Sequence, residues 1–120
     1  MALILFVDDD PLTLAMLSQA AGILGHESVT TVSGEEALQI ALDRSPQLIL
    51  MDMNLKGTTG LMVTKKLRTH PKTSSTPILI LSAGPGTKTA ELVAAAGANA
   101  YLPKPIRLQI LIEVIREYTT

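Results

Sequence analysis

The chain has 120 residues, enough for one domain with its own core and no need of metal or disulfide staples. Hydrophobic residues make up 47% of it, yet with one Phe, two Tyr and no Trp that core must be aliphatic. A net charge of -1 without a run of Lys or Arg argues against direct nucleic-acid or membrane binding, and the absence of Cys removes disulfides and thiolate metal sites. No stretch reaches membrane-spanning length, and the apolar start at Leu3-Ile4-Leu5-Phe6-Val7 is too short and lacks the basic flank of a signal peptide. A cytoplasmic protein is expected.

That first apolar run reads as a strand and ends in Asp8-Asp9-Asp10. Asp10 suits a helix N-cap and Pro11 the first helical position, so a helix is predicted over 12–21, closed by Gly22 or Gly25. Residues 27–32 mix polar and β-branched side chains, as a half-exposed edge strand does. Ser33-Gly34-Glu35-Glu36 opens a second helix with acids in its first turn, and Ser45-Pro46 closes it. Leu48-Ile49-Leu50-Met51 is apolar on both faces, the pattern of a central parallel strand, and stops at Asp52. A Gly- and Thr-rich loop over 54–59 leads into a short helix over 60–68. Ile78-Leu79-Ile80-Leu81 forms another double-faced strand, ending at Ser82. An alanine-rich helix over 87–96 stops at Gly97, a last strand covers 98–102, and Pro103-Lys104-Pro105 separates it from a final helix over 106–118. Five strands alternate with five helices, and every link is long enough for a right-handed crossover. The expectation is a three-layer α/β sandwich: a five-stranded parallel sheet with five helices covering both faces, in one domain over 1–120.

The strand ends carry the chemistry. In a doubly wound sheet of order 2-1-3-4-5, Asp8 and Asp9, Asp52, Ser82 and Lys104 fall on one rim, where ligands of such sheets sit. Unit charges about 4 Å apart repel by around 4 kcal/mol at an effective dielectric near 20, so three converging carboxylates call for a cation. Hard oxygen donors without His suit Mg²⁺. The Lys104 ammonium and the Ser82 hydroxyl then complete an anion-receiving site, with one carboxylate free to act as nucleophile.

Phe6-Val7-Asp8-Asp9-Asp10-Pro11, Leu50-Met51-Asp52, Leu81-Ser82-Ala83 and Tyr101-Leu102-Pro103-Lys104-Pro105 together resemble the receiver domain of two-component response regulators, along the whole chain and in the same order. The resemblance implies a flavodoxin-like fold of the receiver type and a phosphorylation-controlled signalling switch, not an enzyme with a separate substrate. It assigns Asp52 as acceptor of a phosphoryl group from a phosphohistidine on a sensor histidine kinase or phosphotransfer protein. Mg²⁺ (or Mn²⁺) would be held by Asp8, Asp9, Asp52 and the backbone carbonyl of Asn54. Lys104 and Ser82 would bind phosphoryl oxygens, Tyr101 would move with Ser82 as the switch, and the Lys104-Pro105 bond would be cis. A downstream target or output domain would read the switch, and no output domain is expected within these residues.

Two positions depart from the family pattern: Lys56 replaces a Pro, which predicts a looser loop, and Gly84-Pro85-Gly86 replaces a polar start of the fourth helix. The apolar residues of the last helix spread well beyond the roughly 100° stripe that core packing needs. A partner or homodimer surface is therefore expected near Leu108 and Ile112, built by the last two helices and the last strand. Two rival readings differ in class. An aspartate-dependent phosphatase of the haloacid dehalogenase type would use Asp8 as nucleophile and Asp10 as acid, but Pro11-Leu12 follows and no acidic pair comes after Lys104. An interaction module that never receives phosphate leaves the acid set unexplained. Gly84-Pro85-Gly86-Thr87-Lys88 lacks the Gly before Lys that a phosphate loop requires.

Overall fold

The structure, a computed structural model, describes residues 2–83 and 87–119. In chain order it contains β1 (Leu3–Val7), α1 (Pro11–Ile23), β2 (Glu27–Thr31), α2 (Gly34–Arg44), β3 (Leu48–Asp52), β4 (Asn54–Leu55), β5 (Thr58–Thr59), α3 (Gly60–Arg68), β6 (Ile78–Ser82), α4 (Thr87–Ala96), β7 (Ala100–Pro103) and α5 (Leu108–Thr119). The main sheet has the order β2-β1-β3-β6-β7 with every pair parallel. Leaving aside the short β4–β5 pair, this is the expected 2-1-3-4-5 sheet.

The double-faced runs earn their place by splitting the core in two, because successive side chains of a strand point to opposite faces. Ile4, Phe6, Leu48, Leu50, Leu79 and Leu81 pack under Leu14 and Leu17 of α1 and Leu111 and Ile115 of α5. Leu5, Val7, Ile49, Met51, Ile78 and Ile80 pack under Ala37 and Ala41 of α2, Val63 and Leu67 of α3 and Val93 of α4. No helix among the described residues is long and apolar enough to cross a membrane.

The predicted caps form. Asp10 accepts the Leu12 backbone N–H at 3.1 Å ahead of Pro11, and Ser33 accepts that of Glu36 at 3.1 Å. Ser45, at φ 48°, ends α2 in the left-handed region. Three boundaries differ from the sequence expectation by two residues. α1 runs through Gly22 to Ile23, since a single exposed Gly weakens a helix without ending it, and Gly25 at φ 78°, the second of the two glycines expected to close it, makes the turn. The last strand starts at Ala100, because Asn99 is used as a bracket: its side chain accepts from the Ile78 N–H and the Arg68 guanidinium. α5 starts at Leu108, after the cis Lys104-Pro105 bond, with its first turn closed by Leu111 N–H on Arg107 O.

The loop over 54–59 carries structure of its own. It folds as an antiparallel pair, Asn54 opposite Thr59 and Leu55 opposite Thr58, around the two-residue turn Lys56-Gly57. Gly57 at φ 76° supplies the turn. The Gly84-Pro85-Gly86 departure lies outside the described residues.

Candidate functional site

β1 and β3 are neighbours, and both run out of the core at a carboxylate. Asp8, just past β1, is fully buried; its Oδ1 accepts the Asp10 N–H at 2.9 Å and its Oδ2 accepts from Lys104 Nζ at 2.7 Å. Asp52, the last residue of β3, is also buried, with Oδ2 at 3.3 Å from the same ammonium. Asp9 is exposed beside them, and the three residues offer carboxylate oxygens all within 4.8 Å of one another. Acids that are far apart in the sequence therefore meet as expected.

Lys104 reaches them because β7 lies beyond β6. Its N–H donates to Ser82 O at 2.8 Å, which pins the residue after β7 to the end of β6. Ser82 is buried at that end, opposite Pro103 in register. Asn54 opens the β4–β5 hairpin two residues beyond Asp52, exposed to solvent.

The electrostatics are lopsided. Burial raises the Asp52 pKa above the ordinary carboxylate value; the nearby Asp8 charge adds to this, while Lys104 and the Asn54 backbone oppose it. For Lys104, burial disfavours the ammonium, but the Asp8 hydrogen bond and both carboxylates outweigh burial and raise its pKa above the usual 10.5. One cation thus holds two carboxylates, and a third stands open to water. Three oxygen donors without His or Cys fit a hard divalent cation such as Mg²⁺.

The geometry does not favour the phosphatase reading. Asp10, which would have to be the acid, is turned away to cap α1, where Leu12 N–H and the Thr13 hydroxyl donate to it. Tyr101, in the middle of β7, is half-buried against the core under α2, α3 and α4. The pair Leu108 and Ile112 divides: Leu108, the first residue of α5, is exposed, whereas Ile112, one turn further in, packs against the core under α1 and α5 beside Leu111 and Ile115. Ile110, which the wheel did not single out, is the exposed neighbour of Leu108.

Gly60 is a site residue the sequence did not single out. A Cβ there would stand 2.3 Å from the backbone carbonyl oxygen of Asp52, and its N–H donates to Met53 O at 2.8 Å. The hairpin returns the chain so closely under the acceptor strand that only Gly fits. The signal available in the sequence was the Thr59-Gly60 pair ahead of a helix.

Comparison with known proteins agrees with the geometry. Residues 4–116 match the response regulator receiver domain family. The polar-differentiation response regulator DivK of Brucella ovis is 33% identical over 115 residues, covering 96% of this chain and 94% of DivK. The chemotaxis response regulator CheY4 of Vibrio cholerae superposes with a TM-score of 0.93 at 30% identity, covering 98% of both chains. The receiver domain of a sensor histidine kinase from Pseudomonas aeruginosa, solved with magnesium in its active-site cleft, has a TM-score of 0.88 at 26% identity and covers 98% of this chain and 96% of that one. This chain belongs to the response regulator receiver domains, the phosphorylation-controlled switches of two-component signalling.

Proposed function

We propose that Asp52 is the phosphoryl acceptor of this switch and takes the group from a phosphohistidine on a histidine kinase or phosphotransfer protein. The observation that carries the reading is Lys104 Nζ, 2.7 Å from Asp8 and 3.3 Å from Asp52, a fixed cation beside a buried carboxylate. In the transfer, an Asp52 carboxylate oxygen forms the new P–O bond as the P–N bond breaks and its electron pair returns to the imidazole. Asp8, Asp9 and Asp52, with the Asn54 carbonyl, would hold Mg²⁺ (or Mn²⁺), which when bound supplies charge neutralisation for the phosphoryl oxygens. The compact oxygen set and the magnesium-bearing kinase receiver support this assignment.

The remaining roles follow from position. Lys104, released from part of its pairing with Asp8, stabilises the charge on the phosphoryl group, and the Ser82 hydroxyl donates to it. The added charge of roughly -1.5 to -2 draws Ser82 and Lys104 together, and Tyr101 on the neighbouring strand follows Ser82. The change is read on the surface of α4, β7 and α5, where Leu108 and Ile110 are exposed, by a downstream target, an output domain or a second copy. The chain acts as one receiver domain over 1–120 and promotes only its own phosphoryl transfer and hydrolysis.

Beryllium fluoride, a phosphoryl mimic, tests the switch. With Mg²⁺ present, amide NMR signals of Ser82, Ala83, Tyr101 and Lys104 should shift, and Asp52→Asn should abolish the shifts. Unchanged spectra for the wild type, or equal shifts in the variant, would overturn the assignment.

A further inference from the structure

The net charge of -1 conceals a sharp division of sign. Between Asp52 and Glu91 the sequence carries Lys56, Lys65, Lys66, Arg68, Lys72 and Lys88 and no acid at all. α2 and α3 lie side by side over the same face of the sheet, anchored by Ala37, Ala41, Val63 and Leu67. Both are crossovers between parallel strands, so they also run in the same direction. The outward stripe of α2 is acidic, with Glu36, Gln39 and Asp43 exposed one turn apart. That of α3 is basic, with Met62, Lys65, Lys66 and Thr69 exposed at the same spacing. Neither stripe is ion-paired within the chain among the described residues: the salt bridges found there join Arg44 to Glu27 and Lys104 to Asp8 and Asp52.

We propose that the α2–α3 face is a self-complementary interface that binds a second copy of this chain. A two-fold axis lying in the contact plane, between and along the two helices, places α2 of each copy over α3 of the other. Every acidic stripe then meets a basic one. An axis across the helices would instead stack α2 on α2, so the charge pattern selects one of the two packings. Between the helices, beside the β4–β5 hairpin, lies a cleft of about 490 Å³ floored by Leu38 and Val63 and rimmed by Glu35, Lys56 and Lys66. Met62 is the exposed apolar side chain that α3 brings to the contact. Exposed ion pairs give orientation more than strength, so the association is weak and salt-sensitive. It uses none of the acceptor-site residues and is separate from any contact made by α4, β7 and α5.

Sedimentation equilibrium on the intact chain tests this. At low ionic strength the average mass should climb towards a dimer with concentration and fall back to the monomer in high salt. Lys65→Glu with Lys66→Glu should weaken self-association roughly tenfold or more, and so should Glu36→Lys with Asp43→Lys. Mixing the two charge-reversed variants one to one should restore the dimer, since each then presents what the other lacks; that rescue also shows that both remain folded. A wild type that stays monomeric at every concentration would overturn the proposal. So would association that ignores either reversal, as a dimer on α4, β7 and α5 or an unrelated acidic partner for α3 would produce, or a mixture that fails to associate.

Discussion

Asp52 sits where its charge is least welcome, buried and facing Asp8, with one shared ammonium to offset both. Its raised pKa means that protonation favours the fold. The associated stability is fully present below the unfolded value of 3.8 and is lost as pH rises through the folded one. At neutral pH, Asp52→Asn should therefore stabilise the protein, by on the order of 1 kcal/mol, the usual size of a single-site effect. It should also flatten the acid limb of a stability-against-pH curve measured by urea unfolding. A variant less stable than the wild type at neutral pH would contradict this electrostatic reading. Gly60→Ala should do the opposite. Its Cβ cannot be placed without displacing the Asp52 carbonyl, so we expect a loss of about 2 kcal/mol by urea unfolding, with weakened Mg²⁺-dependent stabilisation in a thermal-shift measurement. The carboxylates, Lys104 and Ser82 were legible in the sequence because each ends an apolar run. Gly60 was not, because the Thr59-Gly60 pair marks only a helix start, whereas the need for Gly is a short distance to a backbone atom.

At the scale of elements, periodicity decided what could be read. Three strands of the sheet stand out as apolar runs bounded by turn residues or acids. β4 and β5 have two residues each, too few for any alternation to show. Their turn nonetheless makes a prediction. Gly57 is at positive φ, and among the described non-glycine residues only Ser45 is, so Lys56 has the negative φ of the first central residue of a type II turn, where Pro is favoured. Lys56→Pro should raise stability by about 0.5–1 kcal/mol, through the entropy of the unfolded chain, and urea unfolding measures it. A loss of stability would mean that the turn has another conformation. α5 shows the limit from the other side. The wheel showed that its apolar face was wider than packing needs, but not which edge α1 would cover. The structure shows it: Ile112 packs with Leu111 and Ile115, while Ile110 and the first-turn Leu108 stay exposed.

For the whole molecule, the order β2-β1-β3-β6-β7 does the work of assembly, since it makes neighbours of the strands that end in Asp8 and Asp52 and brings Lys104 across from the far edge. Order and site were therefore read together: the acids are worth nothing chemically unless the sheet is wound this way. What the sequence left unread at this scale was the opposition of charge between α2 and α3, which emerges only when two segments become adjacent helices. The most direct measurement is mass spectrometry of the intact chain after incubation with a small acyl phosphate and Mg²⁺, followed by peptide mapping. One phosphoryl group should be added, on Asp52, and none when a chelator removes the metal or when Asp52 is replaced by Asn. Incorporation that persists in Asp52→Asn, or its absence from the wild type, would contradict the account.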